Sequence, residues 1–349
     1  MTRTGSLACA AALAIVCATT AARADNVADF FRGRTITIQV GFGAGGGYDI
    51  TTRIVARHFG DHIPGNPTVV VQNLPGGGSM KLANYIYNAA PKDGTMLGVF
   101  TSAVSVEPVY GDKQARFDAR KFEWIANMHR DIESCGAWKT SGIKTLPDLL
   151  ASKKTIVFGS TSPAATTSQF PMLMKHLFNA NIKVINGYKG TRDIDLAMQN
   201  GEVHAMCGMY ESSVKGPFAD DVNSGNMKLF VQLGADRKVA TFGDATQLIT
   251  MVKDPEDRKI TEMLFRQDAI TRPLAAPPGT PKDRVAALQK ALMDTMKDPG
   301  LIADGRKINV DFDPMQGEDV RQFFVEFYKT PPALIKKASA DIQVDAASK

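Results

Sequence analysis

The segment "GFGAGGGYDITTRIVARHF", residues 41–59, places five glycines within seven positions ahead of an amphipathic stretch. Gly41, Gly43 and Gly46 match the G-x-G-x-x-G spacing with which a strand–helix turn holds a dinucleotide pyrophosphate. That chemistry also wants an acid near the end of the following strand to hold the ribose. Here the following strand, "TVVVQN", ends in Gln72 and Asn73, and no G-K-[ST] follows any glycine run. The spacing alone is weak support for a nucleotide, and its required partners are missing. Hydrolytic chemistry also lacks its marks. "GSTSP" around Ser160 has no second glycine, so it is not a G-x-S-x-G elbow. His58 and His62 stand four apart, but Gly60 and Pro64 lie in or near their turn and no Glu stands beside them as in H-E-x-x-H. Cys135 and Cys207 have no partners at zinc spacing. Neither a metal site nor a cofactor is expected.

What does recur is a loop of small and hydroxyl residues between a strand and a helix. Ala44, Gly45, Gly46, Gly47 and Tyr48 make the first; Gly76, Gly77, Gly78 and Ser79 the second; Thr101 and Ser102 the third. Ser160, Thr161, Thr166 and Thr167 make a fourth, and Tyr188, Lys189 and Gly190 a fifth. The first N–H groups of a helix have no intrahelical partner, and the helix dipole favours an anion there. Glycine permits close backbone approach, and hydroxyls add donors. In open α/β sheets such loops collect beyond the carboxyl ends of the strands, where ligands bind. The pattern predicts a neutral, donor-rich cleft for a small anion, most simply a carboxylate. Asp49 would oppose an anion, so it is assigned to capping the first helix. Lys189 is the one cation placed to reach an acid, and a surface role fits it equally. Glu211 reads as a group that repels an acid, as an acceptor for a donor group, or as a solvated loop charge.

Strand-like and helix-like segments alternate to position these loops. "TITIQV", "TVVVQN" and "TMLGVF" read as strands, with helices at "DITTRIVARHF" and "MKLANYIYNAA" between them. The order restarts at "KTIVFGS" and runs through "IKVIN" to "HAMCGM". Two α/β units follow, one over about 34–127 and one over about 135–230, and they predict parallel sheets flanked by helices. The links between them are short, so the units should pack across a cleft. Towards the end, Thr280-Pro281 reads as a helix start with its cap at Thr280. Val320, Phe323, Phe324, Phe327 and Tyr328 form a core stripe.

Residues 1–24 stand apart: Arg3, the apolar run "LACAAALAIVCATTA", then "ARA" ending at Ala24. This reads as a secretory leader cleaved after Ala24. The formal net charge is +5, and losing Arg3 and Arg23 lowers it to +3. That is too mild to argue for nucleic acid or an anionic membrane. Cys135 and Cys207 remain after cleavage, either as one disulfide in an oxidising compartment or as two buried small hydrophobes.

Taken together, these segments resemble the periplasmic substrate-binding proteins of tripartite tricarboxylate transporters, also called Bug proteins. The similarity runs over nearly the whole mature chain. It rests on the first glycine segment, on "VVVQNLPGGGSMKLANYIYNAAPKDGTMLG" with Asn73, Pro75, Gly76 and Gly78, on "GYKGTRDIDLAMQNGEVHAM" with Tyr188, Lys189, Gly190 and Gly201, and on "AAPPGTPKDRVAALQKAL…DPG". The resemblance implies a two-lobe Venus-flytrap fold with two crossovers. Residues 25–130 and 231–349 would form lobe 1 and residues 131–230 lobe 2, with "MKLFVQLGADR" the returning hinge strand. It implies a ligand carboxylate held by the Gly43–Asp49 and Pro75–Ser79 loops. Lobe 2 would close from Ser160–Thr167 and Tyr188–Gly190. The expected role is non-enzymatic delivery of a small organic acid, by a monomer, to the membrane subunits of a transporter. A sensor of the same fold feeding a signalling partner is the alternative. An exported enzyme would need Ser160 or Ser168 paired with His176 or His204. This chain departs from the family in having Gly43-Ala44-Gly45 where Pro is frequent and Tyr48 where a small Thr is common.

Overall fold

The computed structural model describes residues 26–234, 238–310 and 312–343. The leader expected over residues 1–24 lies outside the described residues. Among the described residues, twelve strands build two six-stranded sheets. The first holds β1 (Thr35–Val40), β2 (Thr68–Asn73), β3 (Met96–Val99), β4 (Glu123–Asn127), β11 (Pro273–Ala276) and β12 (Met315–Gln316). Its order is β12-β4-β11-β3-β1-β2. The second holds β5 (Glu133–Trp138), β6 (Ile156–Ser160), β7 (Ile182–Asn186), β8 (Ala205–Tyr210), β9 (Met227–Leu233) and β10 (Thr246–Gln247), in the order β10-β9-β5-β8-β6-β7.

The β-loop-α units give parallel pairing at β3-β1-β2 and at β7-β6-β8. Strands that enter after a crossover run the other way. β11 is antiparallel to both β3 and β4, and β5 to both β8 and β9. The chain therefore leaves the first sheet between β4 and β5 and returns between β10 and β11. Each sheet is flanked by helices, and the sheets belong to two lobes facing across a cleft.

Two boundaries differ from the sequence expectation. The return at residue 231, with "MKLFVQLGADR" as the hinge strand, is too early. β9 is a central strand of the second sheet, in register with β5 from Trp138↔Met227 to Glu133↔Leu233, and β10 covers its other edge. Its nearly continuous burial demands neighbours on both sides. The last described helix, Pro332–Ile342, also lies chiefly against lobe 2, with a smaller contact to the Ser102–Tyr110 helix of lobe 1. Its apolar stripe of Ile335, Ala338 and Ile342 packs on the Thr166–Phe178 helix. Thr280 does not cap the following helix, because its hydroxyl donates to the Pro277 carbonyl and Pro281 takes the cap position.

Candidate functional site

Three helices begin at one cavity between the lobes. The Gly47–His62 helix comes from lobe 1, and the Thr166–Phe178 and Thr191–Gln199 helices from lobe 2. Gly46, Ala165 and Gly190 stand at their cap positions, and none of the three has a side-chain cap. Their first N–H groups therefore keep their donors, and the positive ends of three helix dipoles lie at one cavity. Gly46, Gly47, Tyr48, Thr166, Thr167, Gly190 and Thr191 form wall, as do Thr101, Thr161 and Ser213. The apolar part of the wall is Phe42, Tyr48 and Tyr210, with Phe42 and Tyr48 rings 4.6 Å apart.

The first loop is shaped by close approach. A Cβ at Gly41 would overlap the Ser79 side chain, so glycine lets the first two loops cross. Gly45, at φ +82°, makes the turn, and its N–H donates to Asp49 Oδ2 at 2.9 Å. Asp49 Oδ1 accepts from Arg53 Nε (2.9 Å) and Asn73 Nδ2 (2.8 Å), and Asn73 also donates to the Phe42 carbonyl. Burial pushes the Asp49 carboxyl up, but these hydrogen bonds outweigh it and hold it below its ordinary value. Asp49 thus serves the loop, and Asn73, at the end of β2 where a dinucleotide fold places the acid that holds the ribose, ties down the glycine turn instead.

A buried carboxylate enters the same cavity. Glu133, the first residue of β5, is fully buried. Its Oε1 accepts from the Thr166 hydroxyl at 2.6 Å, while Oε2 has no hydrogen-bond partner. Burial first, and the charge of Asp131 second, push its carboxyl up to about 7 against the pull of Thr166, Tyr210 and Arg272. Behind it lies a hinge knot. Asp131 accepts from the Glu211 N–H (3.0 Å), the Ser212 hydroxyl (2.5 Å) and Arg272 Nη1 (3.3 Å). Arg272, itself fully buried, also donates to the Ser212 hydroxyl at 2.7 Å. Its guanidinium lies over Tyr210 at 5.2 Å and over Tyr48 at 5.6 Å. The Tyr48 hydroxyl sits by Thr101 and Tyr210 but completes a hydrogen bond with neither. Burial pushes it up to about 12.

The lobes are closed on each other. Gly43 N–H of lobe 1 donates to the Lys189 carbonyl of lobe 2 at 2.8 Å. Gln169 Nε2 of lobe 2 donates to Glu107 Oε1 of lobe 1 at 2.9 Å. The cavity left between them admits about 30 Å³ of water-sized volume, room for roughly two waters. Any organic acid larger than that enters only if these contacts part.

Of the residues singled out in the sequence, Gly46, Gly47, Tyr48, Thr101, Thr161, Thr166, Thr167 and Gly190 meet at this cavity. The others sit beside or away from it. Ala44 is exposed. Gly76 and Gly77 line a separate outer groove. Gly78 packs against Ser162 and Ala165, Ser79 Oγ accepts from the Thr101 N–H, and Ser102 donates to the Gln267 carbonyl. Ser160 supports Thr167 (Oγ–Oγ1 2.9 Å) from behind. Tyr188 is half-buried and packs by Gly159, and the Lys189 side chain is exposed. Glu211 is engaged by Lys215 and by the Thr241 hydroxyl. Ser160 does not bond either histidine: His204 Nδ1 accepts from the Val157 N–H, and His176 meets the Asp341 carbonyl. Cys135 and Cys207 are joined by a disulfide between β5 and β8. Among the described residues no group of three His, Cys, Asp or Glu is placed to hold a metal, and no helix is long and apolar enough to cross a membrane. Glu133, Gly208, Tyr210, Ser213 and Arg272 were not foreseen. One signal was available, a lone acid opening the apolar strand "ESCGAW".

Residues 52–339 match the family model of the tripartite tricarboxylate transporter family receptor. A UPF0065 protein of Cupriavidus necator is 24% identical over 96% of this chain and 95% of its own length. Among solved structures, the periplasmic binding protein BugD superposes with a TM-score of 0.72 at 19% identity, covering 89% of this chain and 99% of that one. MatC from Rhodopseudomonas palustris, solved with bound malate, gives 0.68 at 16% identity over 88% and 99%. At these identities the likeness establishes the two-lobe fold.

Proposed function

The chain belongs to the tripartite tricarboxylate transporter receptor family, and on that premise we propose that it is an exported, non-enzymatic receptor that captures a small organic carboxylate between its lobes. The observation that carries this reading is the convergence of three helix starts without side-chain caps, one from lobe 1 and two from lobe 2, on a single cavity between the lobes. An anion there accepts from N–H groups of both lobes at once, so binding and closure are the same event. Closure removes water, which strengthens each of those hydrogen bonds. MatC, with its bound malate, supports the ligand class. Delivery goes to the membrane subunits of a tripartite transporter. The leader over residues 1–24 and the Cys135–Cys207 disulfide both support a periplasmic location.

A thermal-shift screen of the protein without its leader tests this, against mono-, di- and tricarboxylates, aromatic acids, neutral sugars and nicotinamide dinucleotides. A ligand at a hundred times its dissociation constant stabilises by about 2.7 kcal/mol. Shifts confined to carboxylates are expected. A shift given only by sugars or dinucleotides overturns the reading.

A further inference from the structure

Glu133 is the group in the cavity that the capture of a bare carboxylate does not use. It forms part of the wall, its Oε1 is taken by Thr166, and Oε2 is buried with the Tyr210 hydroxyl beside it but no completed hydrogen bond. A buried polar atom left unpaired costs free energy, so its retention calls for a partner that arrives. The helix starts and Glu133 face one space but want opposite things: the N–H groups want an acceptor, the carboxylate a donor. Phe42, Tyr48 and Tyr210 close the space around them with aromatic surface. That surface suits a cationic nitrogen.

We propose that Glu133 determines specificity by accepting a hydrogen bond from a cationic nitrogen on the ligand, so that the preferred ligand is an amino-substituted carboxylate rather than a plain one. This rests on the carboxylate reading above. The acid end lies at the helix starts and the ammonium end at Glu133 Oε2. The groups that face Glu133 are Asp131, Asp268, Arg272, Tyr48 and Tyr210. Arg272 is already held by Asp131 and Ser212, and Asp268 is buried and held well above its ordinary range by that burial. Glu133 therefore remains as the acceptor within the cavity. Its own carboxyl titrates at about 7 in the closed form, so the ammonium contact is made above that pH and lost below it.

Matched-pair titration calorimetry tests this. Every plain acid in the screen is run against its α-amino analogue, succinate against aspartate and glutarate against glutamate. In the unmodified protein at pH 8 the amino member binds at least tenfold more tightly. Its advantage falls by about tenfold per pH unit below 7, as Glu133 gains its proton. Glu133→Gln keeps an oxygen for Thr166 but removes the charge, so the advantage, read as the ratio of the two affinities within the variant, shrinks to about onefold at every pH. The comparison in the unmodified protein stands alone if the variant does not fold. Plain acids that bind as tightly as their amino analogues at pH 8, or an advantage that survives Glu133→Gln, overturn the inference and leave the carboxylate reading intact. If neither member of any pair binds, the carboxylate reading fails and the inference with it.

Discussion

Gly47→Ala separates the fold from its closure. Gly47 opens the Gly47–His62 helix of lobe 1 and lines the cavity. Its φ is not in the left-handed region, so alanine strains no backbone there. The obstacle comes from across the cleft. A Cβ at this position would overlap the Ser213 hydroxyl, lie 3.3 Å from Arg272 Nη2 and lie 3.6 Å from Ser213 Cβ. Ser213 follows β8, in lobe 2. Overpacking of this kind costs about 1–3 kcal/mol, and each 1.4 kcal/mol is tenfold in affinity. Ligand binding should therefore weaken by roughly five- to 150-fold. The ligand-free protein, free to open, should lose little, because alanine gains up to about 1 kcal/mol over glycine within a helix. The overlap is with one atom, and the 3.3 Å approach to Arg272 Nη2 is the smaller remainder. Ser213→Ala removes the hydroxyl and leaves a Cβ–Cβ separation of 3.6 Å, an ordinary contact. The double variant should thus regain most of the lost affinity. The assay is titration calorimetry of the best acid from the screen on the two single variants and the double, with melting temperatures of the ligand-free proteins alongside. A Gly47→Ala protein that binds like the parent refutes the argument. So does a double variant showing no coupling between the two sites.

Glu107, buried on the Ser102–Tyr110 helix and bonded to Gln169 of lobe 2, is pushed up to about 8 from an ordinary 4.5, chiefly by burial. The folded state holds a proton that the unfolded chain releases, so this residue's contribution to stability falls as pH rises from about 4.5 to about 8. At 1.36 kcal/mol per unit the loss is on the order of 5 kcal/mol. Urea unfolding at pH 5, 7 and 9 should show Glu107→Gln gaining on the parent as pH rises, and parallel curves would count against it. The disulfide closes a sequence separation of 72 residues, and chain entropy assigns such a loop about 4 kcal/mol. Reduction, or Cys135→Ala with Cys207→Ala, should lower the melting temperature clearly, and an unchanged value removes the disulfide from the account.

The sequence exposed those parts of the site that are local. A strand, a run of glycine or threonine and a helix start lie within a dozen residues of each other, so composition reveals them. Gly46, Gly47, Thr166, Thr167 and Gly190 were legible for that reason. Composition does not reveal which end of a loop turns inward. Gly76 and Gly77 have the same chemistry as Gly46 and Gly47 yet face an outer groove. Glu133, Tyr210 and Arg272 carry no local pattern at all. Glu133 meets Tyr210 because β5 pairs antiparallel with β8, and Arg272 joins them from the segment that returns to lobe 1. The late return was missed for the same reason. A buried apolar strand such as Met227–Leu233 reads identically in either sheet, and only its partners decide between them.

The central claim is that a carboxylate is held between helix starts of both lobes. A crystal structure of the protein with the acid that gives the largest thermal shift tests it most directly. The account predicts the carboxylate oxygens within 2.7–3.2 Å of N–H groups at the starts of the Gly47–His62 and Thr166–Phe178 helices. An acid bound outside the cleft, or held by one lobe alone, would contradict it.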